Sequence, residues 1–318
     1  MNLLQFSFFS EVTASAYIFF CFICGKKLTR LEKDCGKFLD TVPIDTLVYK
    51  AMRQAIINLN SIRNRQCIVL SGDIFKPDSC FDKNQKPYDA VRACILCCMY
   101  SYLFNDYTSA LKFLKHYRQN ISYIVGHSIF MSLAIFYDAL VSLSVAKLVE
   151  HQEQLVEETK SNISKLRGLC ETAPMNYENK ICFLEAELAV VVNGNTNQAI
   201  VHYQEAVDLS KKNKFVNEEG MANERAGMML LSIGLSSAAS DFLLKSYQCY
   251  HEWGAVAKMR NLKHRYPDIF KGGKYLRLNV AGIQFENECQ ESVSMISEVS
   301  SVTSNTASQT TKRKRCSE

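Results

Sequence analysis

Lys180-Ile-Cys-Phe-Leu-Glu-Ala-Glu-Leu-Ala-Val-Val-Val-Asn-Gly194 is followed, from Thr196, by Gln198-Ala-Ile-Val-His-Tyr-Gln-Glu-Ala-Val-Asp-Leu-Ser210. Apolar residues recur at three- and four-residue spacing in both stretches, which predicts two amphipathic helices joined by a turn at Asn193-Gly194. The pattern returns at an offset of 40 (234 − 194): Glu218 to Ile233 predicts a helix, Gly234 a turn, and Ser236 to His251 its partner. Gly234 then matches Gly194, and Ala239 matches Ala199. Glycine at each turn lets the backbone reverse with positive φ if the geometry needs it. The small Ala199 and Ala239 early in the second helices, with Ala206 further along, let paired helices approach closely.

Working outward, Tyr88 to Phe104, a turn at Asn105-Asp106, and Tyr107 to Lys115 form a third copy, with Ala110 in the place of Ala199. A weaker pair is Gln5 to Cys24 and Leu28 to Leu39, turning at Gly25-Lys26-Lys27. Ile44 to Asn60, Ile129 to Val149 and the polar stretch His151 to Cys170 are further helices. Trp253 to Leu262 reads as a last helix, closed by Tyr266-Pro267. The expectation is an all-α, tetratricopeptide-like solenoid of about nine to twelve helices in antiparallel pairs. It occupies residues 1–270, followed by a linker at 271–289 and a disordered Ser/Thr-rich tail at 290–318 that ends in the basic run Lys312-Arg-Lys-Arg315.

Composition agrees. The chain has 318 residues, 47% hydrophobic, with only five Pro and 13 Gly, too little punctuation for a many-stranded β protein. The charge of +5 is dispersed, and no basic face interleaved with aromatics points to nucleic acid. Thirteen Cys without a secretory signal fit a reducing compartment, so the expected location is cytoplasmic. Lys312 to Arg315 is a candidate nuclear import signal. Tyr17 to Cys24 is a continuous apolar run, but Ser10, Glu11, Thr13 and Ser15 interrupt the longer stretch, which favours a buried helix over a membrane span.

Asn176-Tyr177, Lys180, Glu185-Ala-Glu187, Ala189, Ala206, Glu218-Glu219, Ala222-Asn-Glu224, Gly234, Cys249-Tyr-His-Glu-Trp-Gly-Ala255, Ala257-Lys258 and Tyr266-Pro267 form one continuous pattern. From Pro174 to Phe270 it resembles the tetratricopeptide-like segment between the predicted ATPase and GAF domains of multidomain hybrid sensor histidine kinases. The specific part is Tyr250, Trp253, Gly254, Ala257 and Lys258. Looser upstream matches are Cys24-Gly25-Lys26, Asn58-Leu59 and Leu70-Ser-Gly-Asp-Ile-Phe75. The resemblance implies an array that transmits or restrains the state of flanking ATPase and kinase modules in a phosphorelay.

Catalytic motifs of such kinases are missing. Gly25-Lys26 and Gly36-Lys37 lack the spacing and the hydroxyl of a phosphate loop, and His251-Glu252 continues into Trp-Gly rather than a phosphoacceptor box. Cys21-x-x-Cys24 with Cys94-x-x-Cys97-Cys98 offers four thiolates, yet both sit inside predicted helices in distant parts of the array, so no metal or cofactor is expected. The six His form no paired motif. Glu185, Glu187, Glu218, Glu219 and Glu224 read as solvated faces with interhelical contacts to Lys180 and Arg225. Trp253 reads as a cap over the end of the core. The expected function is a non-catalytic interaction and signal-transmission module that binds protein segments on its concave face. The rival expectations are a part of a sensor histidine kinase, a membrane-anchored protein resting on Tyr17 to Cys24, and a gene fragment without function.

Overall fold

The computed structural model describes residues 3–41, 44–61, 68–123, 129–146, 152–192 and 194–271. These form α-helices without a strand among the described residues. In chain order α1 is Leu3–Ile23, α2 Leu28–Thr41 and α3 Leu47–Asn60. A 3₁₀ turn, Pro77–Phe81, precedes α4, Pro87–Leu103, and α5, Tyr107–Gln119. Then come α6, Ile129–Ala146, α7, Gln152–Cys170, α8, Pro174–Val192, and α9, Thr196–Lys212. The chain continues through α10, Val216–Ser232, α11, Ser236–Trp253, α12, Val256–Arg265, and α13, Pro267–Lys271. Sequential helices pack side by side as α4 with α5, α6 with α7, α8 with α9, and α10 with α11. The expected linker beyond residue 271 and the tail with Lys312 to Arg315 lie outside the described residues, as do Asn193 and His151.

The repeat has a physical unit half the length that the sequence comparison showed. Gly194, Lys214, Gly234 and Gly254 all take positive φ, at 57°, 62°, 82° and 87°. Their numbers step by 20 (194, 214, 234, 254), one helix plus one reversal at a time. A single left-handed residue ends each helix by letting the chain turn back through its own last carbonyls. Asn105, at φ 61°, does the same between α4 and α5. The helix starts are capped alike: the Asp106 and Asn195 carboxyl and amide oxygens accept from the Ser109 and Gln198 amides at 3.0 and 3.1 Å. With α9 and α10 at 17 residues each and a turn after each, the pair repeats every 40 residues (234 − 194), longer than a tetratricopeptide unit of about 34 residues.

Ala110, Ala199, Ala206 and Ala239 are completely buried at the helix contacts, where their spacing had placed them. Gly227 on α10 carries the closest approach. A Cβ there would stand 2.6 Å from Leu243 Cγ and 3.1 Å from the Ala239 carbonyl oxygen of α11. One apolar core runs from Ala14 to Leu262, and a smaller cluster of Leu143, Val145, Ala146, Leu155, Val156 and Val191 closes the α6–α7–α8 end.

The array also curls until α1 meets α10 and α11, and α3 meets α12. Asn217 at the start of α10 donates to the Ile23 carbonyl at the end of α1, 3.1 Å away. α12 packs on α3. Trp253 lies against Phe22 with ring centroids 5.9 Å apart. This corrects two expectations. Trp253 is the last residue of α11 rather than the start of the next helix, because Gly254 reverses the chain: the Gly254 amide bonds the His251 carbonyl and the Ala255 amide bonds the Tyr250 carbonyl at 2.8 Å. Nor does Trp253 cover an open end. It is 3% exposed and lines an interior cavity of about 20 Å³ with Phe22, Leu59, Tyr100, Leu103 and Tyr137, where α1, α3, α4 and α6 converge.

Candidate functional site: a buried charge network on the inner helices

Three acid–base pairs lie inside the array. The Lys180 Nζ of α8 donates to the Glu218 Oε2 of α10 at 2.7 Å. Arg225 of α10 reaches back with Nε and Nη2 to the two carboxylate oxygens of Glu187, at 2.6 Å each. On each helix the acid and base stand seven residues apart (187 − 180 and 225 − 218), about two turns, and so share a face. The order of charge is inverted between the helices, base then acid on α8 and acid then base on α10. Both pairs span 38 residues. The third pair extends the series, with the Lys258 Nζ of α12 on the Glu224 Oε1 at 2.8 Å.

The turn between α4 and α5 plugs into the same network. Lys258 Nζ also donates to the Leu103 carbonyl. Asn105 Nδ2 donates to Glu224 Oε1 at 3.2 Å, and Arg225 Nη1 donates to the Tyr107 hydroxyl, which itself donates to Asn105 Oδ1 at 2.7 Å. Tyr203 and Tyr250 complete the acids' shells, donating to Glu187 and Glu224 at 2.8 and 2.9 Å. Asn179 bridges Ser210 and Glu218 at 2.9 and 2.5 Å. The expectation that these glutamates form solvated faces is therefore corrected: Glu187, Glu218 and Glu224 are buried, while the interhelical contacts to Lys180 and Arg225 are present. Glu185 keeps to the surface, paired with Arg167.

Electrostatics here are those of charges out of water. Burial pushes the Tyr203 and Tyr250 phenols upward, and the adjoining Glu187 and Glu224 carboxylates add to it. Burial lowers Lys258 against the pull of Glu224. Burial also opposes the Arg225 charge, and the Glu187 carboxylate together with the Tyr102 and Tyr107 phenols outweighs it. Such pairs add little net stability over an apolar core of the same volume, but losing one partner strands the other. They fix which helices face each other. Each charged group of the three pairs is engaged by its partner in the array.

The remaining sequence-selected residues serve the frame. Gly194, Gly234 and Gly254 make the left-handed turns. Tyr250 is fully buried on Glu224, and Ala257 is buried beside Lys258. Tyr266 ends α12, its amide on the Leu262 carbonyl at 2.9 Å, and Pro267 opens α13, where its missing N–H costs nothing. Asn58 clamps the Val69 and Ser71 carbonyls at 3.2 and 3.1 Å, which ties α3 to the Leu70–Phe75 stretch. Cys21 stands on α1 and Cys24 in the turn just after it, far in the chain from Cys94 and Cys97 of α4. Among the described residues no group of His, Cys, Asp and Glu is arranged to hold a metal ion.

A groove stays open elsewhere. It crosses α7, α8 and α9, has a volume of about 530 Å³, and has Ile163, Leu188, Ala189 and Val192 as its apolar part. Lys160, Arg167, Gln198 and His202 line the rest with Glu185.

Comparison with known proteins adds one relative. Over 72 residues, 23% of this chain, the sequence is 33% identical to hybrid signal transduction histidine kinase G of Dictyostelium discoideum. The match is kinship with a signalling protein. The matched stretch spans 2% of that relative's length. No family model matches the chain, and no solved structure matches it. Among the described residues, no helix is long and apolar enough to cross a membrane.

Proposed function

We propose that this chain is a non-catalytic, tetratricopeptide-like helical module for protein interaction and signal transmission, related to the connecting segments of hybrid histidine kinases. The observation that carries the reading is kinship with a hybrid kinase in a sequence without a phosphate loop or a phosphoacceptor box. The inner charges support it, because each is engaged by another charge of the array. The partner is a protein segment. The concave face was the expected seat; the inner charges Glu224 and Lys258 are engaged by the chain's own α4–α5 turn, and the open α7–α9 groove is the better candidate. Its apolar strip with a mainly basic rim suits an amphipathic segment carrying acidic residues. A cytoplasmic setting is part of the same proposal, in keeping with ten free cysteines among the described residues.

Incubating the purified chain with Mg-ATP labelled on the γ-phosphate tests the non-catalytic part. The expected result is no acid-labile phosphate on the chain. Phosphohistidine formed without an added kinase overturns the proposal. The transmission part is tested by grafting the matching stretch into the Dictyostelium kinase. Regulated autophosphorylation is expected to survive in a graft that folds, and its loss there counts against the role.

A further inference from the structure

Cys80 sits in the short 3₁₀ turn Pro77–Phe81, which lies on α4. Its Sγ is 3.9 Å from the Sγ of Cys97 on α4. Cys94, one helical turn earlier on α4, shares the helix face of Cys97 and is buried with it, so two thiols of one face of α4 lie near a third from a surface segment. All three side chains are buried, yet the residues around Cys80 are not: Lys76, Asp78 and Asp82 are exposed on either side. Beside its packing on α4, the turn is held from α5 by the Lys112 ammonium over the Phe81 ring at 4.6 Å, the salt bridge from Lys112 to Asp78 at 3.4 Å, and the Phe81 ring against Phe113 and His116 at 5.6 and 4.9 Å. Short surface segments of this kind open locally far more readily than the helices beneath them.

We propose that Cys80 and Cys97 form a redox site, in which hydrogen peroxide converts the two thiols into an intramolecular disulfide that staples the Pro77–Phe81 turn to α4. Cys80 is the attacking sulfur. The thiol donors of Cys94 and Cys97 hold it well below the ordinary thiol range, against the upward push of burial, while Cys94 and Cys97 are themselves pushed up. The Cys80 thiolate attacks one peroxide oxygen, the O–O bond breaks, and hydroxide leaves, giving a sulfenic acid. Cys97, deprotonated by that hydroxide, attacks the Cys80 sulfur. The S–O bond breaks and its oxygen departs as water on taking up a proton. Two thiols and one peroxide thus give one disulfide and two waters, each sulfur losing one electron. The sulfurs must close from 3.9 Å to about 2.0 Å, which asks for a shift of the turn and leaves α4 in place. The result is a closed loop of 17 residues in a chain whose other described cysteines stay free.

The test treats the intact chain with hydrogen peroxide, blocks residual thiols, digests it, and locates cross-links by tandem fragmentation that separates Cys97 from Cys94 and Cys98. The expected product is a Cys80–Cys97 link with loss of two thiols per chain, reversed by dithiothreitol. Cys80→Ser and, independently, Cys97→Ala each abolish that link and leave one more titratable thiol after treatment than the wild type (13 − 1 = 12 against 13 − 2 = 11). Oxidation that starts at other cysteines, or a link from Cys80 to any sulfur other than Cys97, overturns the assignment. Mapping the wild-type chain decides this even if a variant does not fold.

Discussion

Replacing Lys258 by Met removes the cation of a buried pair without changing the bulk of the side chain much. Glu224 is then left inside the array. Its carboxylate keeps the Tyr250 hydroxyl at 2.9 Å, the Asn105 amide at 3.2 Å, and the Arg265 guanidinium only at 4.0 Å. Removing one partner of a buried pair costs about 3–5 kcal/mol, and the surviving donors place this case near the low end, at about 3 kcal/mol. With a urea m-value of about 3 kcal/mol/M, the midpoint of unfolding falls by about 1 M. The double variant Lys258→Met with Glu224→Leu removes both charges and leaves two neutral donors without their acceptor. At about 1 kcal/mol for each stranded donor, it is expected to recover part of the loss, ending about 2 kcal/mol below the wild type. Urea unfolding followed by far-ultraviolet circular dichroism measures both. The reasoning fails if the single variant moves the midpoint by less than about 0.3 M, or if the double variant is as unstable as the sum of the single changes.

Turn geometry gives a paired prediction. Nothing lies within 4 Å of a Cβ built at Gly234, so Gly234→Ala meets only the penalty of positive φ and loses about 1 kcal/mol, whereas Lys214→Gly at φ 62° gains up to about 1 kcal/mol; thermal unfolding that moves the two in the same direction would contradict this. Gly227→Ala forces a methyl onto Leu243 Cγ at 2.6 Å and is expected to cost more than Gly234→Ala, as read by the same melts. Alkali should unfold the chain early. Burial pushes the Tyr117 phenol and the Cys182 thiol up to about 12 and the Cys35 thiol up to about 11. Raised folded values mean that their contribution is complete below the unfolded values and is lost as pH climbs through the folded ones. The melting temperature is therefore expected to fall between pH about 9 and about 12, and a flat profile over that range would rule the effect out.

The turns and the helix-contact alanines were legible in the sequence because both are local or periodic requirements. Gly194, Gly234, Ala199 and Ala239 recur at fixed spacing, and a reversal or a close contact selects the same small residues each time. The burial of Glu187, Glu218 and Glu224 was not legible from periodicity, since a charged residue on a helix ordinarily marks its wet face. A signal did exist: Lys180 with Glu187, and Glu218 with Arg225, repeat the seven-residue step with charges exchanged, so opposite charges meet when α8 and α10 align. Closure of the array left weaker traces. The meeting of Ile23 with Asn217, and of Leu103 with Lys258, joins residues 194 and 155 positions apart, and nothing local encodes which turn reaches which helix. The twenty-residue step was hidden because Lys214 holds a left-handed turn where its neighbours in the series have Gly.

Trp253 is the chain's one tryptophan and sits where α1 meets α11, so its fluorescence reports directly on the closed array with the filled interior. The account predicts blue-shifted emission, weak quenching by acrylamide in the native chain, and a rise in quenching when Phe22→Ala loosens the contact. Red-shifted emission that acrylamide quenches freely in the folded wild-type chain would contradict it.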